Sequence, residues 1–107
     1  MDEQMVAVGG RALQVSSVGS GPVTLVILSG SNILFPGLEY APLGDALREW
    51  YSVLIPSKFG YGFSDLTEAP RDVDTVVEEY RRVLAALKHP FPVVLAAHSM
   101  GFLEALH

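Results

Sequence analysis

The sequence predicts an α/β domain, a mostly parallel sheet opened by an antiparallel hairpin and flanked by helices. Three observations carry this expectation. Apolar runs without a polar face recur at "VTLVILSG", "YSVLIP" and "VVLAA", as strands covered on both sides require. Segments with helical spacing stand between them, and this alternation implies right-handed crossovers and parallel pairing. Ahead of the first run, two short strand-like segments flank a glycine pair.

The elements follow in order. "QMVAV" and "RALQVSSV" surround Gly9–Gly10, and glycine supplies the positive φ of a two-residue hairpin turn. "GSGP" (Gly19–Pro22) punctuates the chain before the first apolar run, and "SNILFPG" after it reads as a loop. In "EYAPLGDALREW", Leu43, Ala46, Leu47 and Trp50 fall at helical spacing, with Pro42 in the first turn. "YSVLIP" (Tyr51–Pro56) is the second buried strand, and "SKFGYGFSDLTEAPRD" is a loop with glycines at 60 and 62. The clearest helix is "DTVVEEYRRVLAALK". Val73, Val76, Val77, Tyr80, Val83, Leu84 and Leu87 mark its apolar face, and Glu78 and Arg82 pair on the other. Asp74 or Thr75 is placed to cap it, Thr75 with Glu78 three residues on. "HPFP" ends the helix, "VVLAA" is the third buried strand, and a last helix starts near Met100.

A chain of 107 residues, half of them apolar, suits one small domain with a buried core. Twelve acidic residues against seven basic give a net charge of −5. No basic patch exists to neutralise phosphates, which excludes nucleic acid and an anionic membrane surface as partners. Cysteine is absent, so disulfide and thiolate chemistry are excluded, and a reducing compartment fits. "MDEQMVAVGG" has neither the basic nor the apolar region of a signal peptide, and the apolar runs are too short to span a bilayer. The expectation is a soluble, cytoplasmic protein.

The chemistry concentrates in "LAAHSMG", Leu95–Gly101. Ser99 stands between small residues just past an apolar strand, and parallel sheets bind ligands beyond the carboxyl ends of their strands. Small-x-Ser-x-Gly is the pattern of a nucleophile elbow, a strained turn from strand to helix. Small neighbours are needed because that turn brings the backbone close to adjacent chain. Met100 then heads a helix with a free N–H, suited to stabilising negative charge on a carbonyl oxygen. "LVILSGSN" ends another strand in a turn of small residues, a place for a second donor. A serine before a helix also reads as a plain capping residue, and these residues alone leave both readings open.

An opening hairpin, a strand into "SGSN", a helix, a strand into "GYGFSD", a helix and a strand into "AHSMG" follow one another along the chain. In this it resembles the α/β-hydrolase family over nearly its whole length. The resemblance implies that Ser99 is the nucleophile. Met100 N–H is then one oxyanion donor and Ser31 N–H, directly after Gly30, the other. Two departures stand out: Ser29 replaces the family's usual histidine, and Ala97 replaces the first glycine of the elbow. Asp65 falls in the family's structural loop rather than its triad. A strand end that often carries aspartate in the family reads "PSKFG" here, and Lys58 within it is expected to be a solvated loop residue.

A serine hydroxyl reacts only when a base takes its proton and an acid orients that base. The family places both after the serine. Glu104 and His107 follow it here, but along a helix His107 lies about 12 Å further on at 1.5 Å per residue, beyond hydrogen-bonding reach. Both are read as helix-face residues. His98 points elsewhere from the elbow, and His89 suits a helix end. The expected parent is therefore a serine hydrolase of an ester or related acyl bond, its acid and histidine downstream. Residues 1–107 are then the amino-terminal part of a single domain, cut just after the elbow. "VVLAA" would be an edge strand in such a piece, which is expected to be marginal or aggregation-prone alone. The implied partner is a small-molecule substrate, and neither cofactor nor metal is expected, since nothing has metal-ligand spacing. The alternative is a catalytically inactive hydrolase-like binding module or a truncated product. A dinucleotide-binding domain is disfavoured, because "SGSNILFPG" is not Gly-x-Gly-x-x-Gly and no Walker pattern occurs.

Overall fold

Gly9 and Gly10 take φ values of 58° and 80°, and the chain reverses there between β1 (Asp2–Val8) and β2 (Arg11–Val18), pairing Val8 with Arg11. The computed structural model describes residues 2–30, 34–67, 71–88, 93–98 and 100–106. The "HPFP" break lies outside the described residues. Beyond the hairpin come β3 (Val23–Leu28), α1 (Pro36–Glu39), α2 (Ala41–Leu47), β4 (Tyr51–Pro56), α3 (Val73–Ala86), β5 (Val94–Ala97) and α4 (Met100–Leu106).

These strands form one five-stranded mixed sheet in the order β1-β2-β4-β3-β5. The hairpin attaches antiparallel through β2 to β4, whereas β4 and β5 flank β3 in parallel. Side chains alternate across a strand, and β3 shows why its sequence lacks polar alternation. Val26 and Leu28 face a core with Leu13, Val15, Leu54 and the α3 residues Val76, Tyr80, Val83 and Leu84. Leu25 and Ile27 face the opposite side, with Val18, Val53 and Ile55, against Tyr40 and Leu47. Helical segments on both faces leave no solvated side for a polar residue.

Two local expectations change. Over "EYAPLGDALREW" the expected helix is the short α2, which ends at Leu47, and a separate helix, α1, begins in the stretch expected as a loop and meets α2 at Tyr40. The expected apolar stripe of α2 is not its buried face. Leu43 and Trp50 are 43% and 61% exposed, while Gly44 is buried and Leu47 packs on the sheet. Seven residues make two turns, so a small rotation set by packing overrides the sequence pattern. The cap of α3 is Asp72, whose extended backbone precedes the helix and whose carboxylate accepts the Thr75 N–H at 2.8 Å. The expected Glu78–Arg82 pair is present on the exposed face at 3.5 Å.

The loop after β4 continues the sheet's pairing with β2. Ser57 N–H donates to Gln14 O, and Asp65 N–H donates to Ala12 O at 2.8 Å. The Asp65 carboxylate accepts Ala12 N–H at 2.7 Å, and Gln14 Oε1 accepts Phe63 N–H at 2.8 Å. Gly62 makes this possible: it has a positive φ, and a Cβ there would meet Gln14 Oε1. Asp65 thus has a structural job. Among the described residues, no helix is long and apolar enough to cross a membrane.

Candidate active site

The carboxyl ends of β3 and β5 lie side by side, with Ile27 opposite Ala96 and Leu28 opposite Ala97. Just beyond, His98 N–H donates to Leu28 O at 3.1 Å, and Gly101 N–H donates back to His98 O at 3.0 Å. The chain therefore turns from β5 into α4 within His98–Gly101. A Cβ on Gly101 would run into the carbonyl oxygen of Leu28. That is the physical reason for glycine here: α4 sits against the backbone of β3 with no room for a side chain. The junction has the strand–turn–helix form that the Small-x-Ser-x-Gly pattern requires. Ser99 itself lies outside the described residues, as does Ser31. Met100 is the first residue of α4.

Tyr40 is a neighbour of this junction that sequence reasoning misses. Its hydroxyl lies 3.0 Å from His98 Nδ1 and accepts Gly30 N–H at 3.4 Å. The two rings meet edge to face at 6.2 Å. Tyr40 so links the loop after β3 to the residue just before Ser99. No sequence pattern marks it; only the meeting of distant segments gives it a partner. The His98 ring is engaged by Tyr40. His89 and His107 lie outside the described residues.

Lys58 and Glu104 require a correction. Lys58 is not a solvated loop residue: its Nζ lies 2.8 Å from Glu104 Oε2, with side-chain exposures of 8% and 3%. Glu104, expected simply on a helix face, is buried on the face of α4 that meets the loop after β4. A second pair borders it, where Arg71 grips Glu79 through two nitrogens at 3.0 and 2.6 Å and stacks over the Phe59 ring at 5.9 Å. The hydrogen bond to Glu79 raises the Arg71 pKa above its ordinary value. Among the described residues, no group of three or more His, Asp or Glu is placed to hold a metal ion.

This architecture is the α/β-hydrolase fold, and the strand order corresponds to its amino-terminal portion. No family model matches the chain. Among particular proteins, it is similar to YbdG of Bacillus subtilis (strain 168), an uncharacterized protein, with 33% identity over 103 residues, which is 96% of this chain and 32% of that one. It is also similar to the thioesterase domain from the curacin biosynthetic pathway, at a TM-score of 0.81 and 32% identity, over 98% of this chain and 39% of that one. A serine hydrolase involved in carbazole degradation superposes at a TM-score of 0.84 with 19% identity, over 98% of this chain and 41% of that one. The chain spans roughly a third to two fifths of the length of these proteins.

Proposed function

We propose that this chain is the amino-terminal part of a serine hydrolase acting by acyl transfer on an ester or related bond, with Ser99 as nucleophile. One observation carries the proposal: "AHSMG" occupies the sharp strand-to-helix junction at the carboxyl ends of parallel β3 and β5, held by Leu28 O against His98 and Gly101. That end of a parallel sheet is where ligands bind. The thioesterase name of a solved neighbour at 32% identity points the same way.

In this reading, Ser99 Oγ attacks the substrate carbonyl carbon while a base takes its proton. The carbonyl oxygen becomes an oxyanion, and the amides of Met100 and Ser31 stabilise it. Collapse expels the leaving group, protonated by the same base, and leaves an ester on Ser99. Water then attacks that ester and restores the hydroxyl. The base and its orienting acid come from residues outside these 107. Among the described acids and histidines near the junction, His98 is engaged by Tyr40 and Glu104 by Lys58.

The test is hydrolysis of p-nitrophenyl butyrate by the intact protein. Ser99→Ala is expected to lower kcat by a factor on the order of 10⁴ or more. Undiminished turnover in that variant would place the chemistry elsewhere.

A further inference from the structure

We propose that Lys58 and Glu104 are a positioning pair: their buried ion pair fixes α4, and the turn before it, against the loop after β4. This rests on the hydrolase reading above. The two charges meet at 2.8 Å with side-chain exposures of 8% and 3%. One lies just past β4 and the other within α4, so the bond crosses from the loop to the helix that follows Ser99.

Energetics argue that the pair does something other than stabilise. Removing both charges from water offsets most of their mutual attraction, and such pairs are often replaced by apolar groups at no loss of stability. What remains is direction. With no water to turn to, an ammonium and a carboxylate hold one geometry, and a displacement of about 1 Å in a catalytic group changes rates far more than it changes stability.

The surroundings extend the pair toward the site. The Tyr80 hydroxyl on α3 faces both Glu104 and Ser29 at the end of β3. Ser29 Oγ, Tyr80 Oη and Glu104 Oε1 are all buried, and among the described residues none has a hydrogen-bond partner at good geometry. Glu104 is held by Lys58 and neighboured by the Tyr80 hydroxyl. The cluster joins Ser29, just past β3, to Glu104 within α4, the helix that opens with the proposed donor Met100.

The experiment uses the intact protein and a fluorophosphonate probe, with the rate of Ser99 modification at saturation and the half-saturating concentration measured separately. The double variant Lys58→Met/Glu104→Leu is expected to keep its fold and Tm within a few degrees, because the apolar pair fills the same space. Its saturating rate is expected to fall about tenfold or more, with half-saturation changed less than about threefold. A folded double variant with the wild-type rate overturns the proposal, and so does a change confined to half-saturation. Loss of the fold also overturns it, because the pair would then be a stability element. Wild-type protein that takes no label at Ser99 overturns the hydrolase reading instead, so the two failures are distinguishable.

Discussion

Tyr80 packs its ring against Val76, Val83 and Leu84, yet its hydroxyl is buried with no hydrogen-bond partner at good geometry among the described residues. Burial, followed by the neighbouring Glu104 carboxylate, raises its pKa well above the ordinary 10.0. The folded state thus holds the phenol neutral where the unfolded chain would ionise it. The associated stability is intact below about pH 10 and is lost as pH rises from there toward the folded value. Tyr80→Phe keeps the ring and removes the orphan hydroxyl. At neutral pH it is expected to be neutral or stabilising by up to about 1 kcal/mol. Above pH 10 it is expected to outlast the wild type, and Tm measured across pH checks both. Tyr40→Phe removes the hydroxyl that joins Gly30 to His98; a fall of roughly tenfold in ester turnover with an unchanged Tm is expected if that link orders the site. Neither tyrosine could be singled out from sequence, where Tyr80 is one residue of an apolar helix face and Tyr40 belongs to no pattern. Lys58 was read as solvated for the same reason: its partner Glu104 lies far along the chain, and no local pattern announces the pair.

At the junction of β5 and α4, the sequence pattern was legible because it reflects a steric rule. Gly101 leaves no space for a Cβ beside Leu28 O, so glycine is required whatever the substrate. Gly101→Ala must push α4 off β3, and a loss of about 1–3 kcal/mol is expected in urea denaturation, together with a loss of activity. An unchanged midpoint would show that α4 does not rest on β3. The start of α3 offers a second check. The hydrogen bond from Thr75 lowers the Asp72 pKa below 3.8, so the cap's contribution is present above the ordinary value and lost as pH falls through the lowered one. Asp72→Ala is accordingly expected to lower Tm at pH 7 and to match wild type under strongly acid conditions. The buried strands β3 and β4 were legible because two covered faces leave continuous apolar runs, whereas β5, expected as a third buried strand, is mostly exposed. The helices between β3 and β4 were not legible, because two short helices meeting at Tyr40 take their orientation from packing.

The order of strands and turns along the chain carried the fold, since right-handed crossovers leave few ways to assemble it. What the order does not carry is how the sheet is covered. Among the described residues β5 pairs only with β3, and Val94 and Leu95 remain 41% and 44% exposed. An apolar edge of that kind recruits other chains. Residues 1–107 expressed alone are expected to bind a hydrophobic dye strongly and to aggregate, whereas the intact protein should do neither. A stable, dye-negative monomer of residues 1–107 would contradict this. Substrate choice is likewise not written in these elements, because it depends on groups placed around the junction rather than on the fold itself.

The proposed chemistry requires a reactive hydroxyl on Ser99, between β5 and α4. The most direct measurement is peptide mapping by mass spectrometry after the intact protein has met a fluorophosphonate. A single adduct on Ser99, abolished by prior denaturation and absent from Ser99→Ala, is the expected result. A folded protein that carries no adduct at Ser99, or an equal one on other serines, would contradict it.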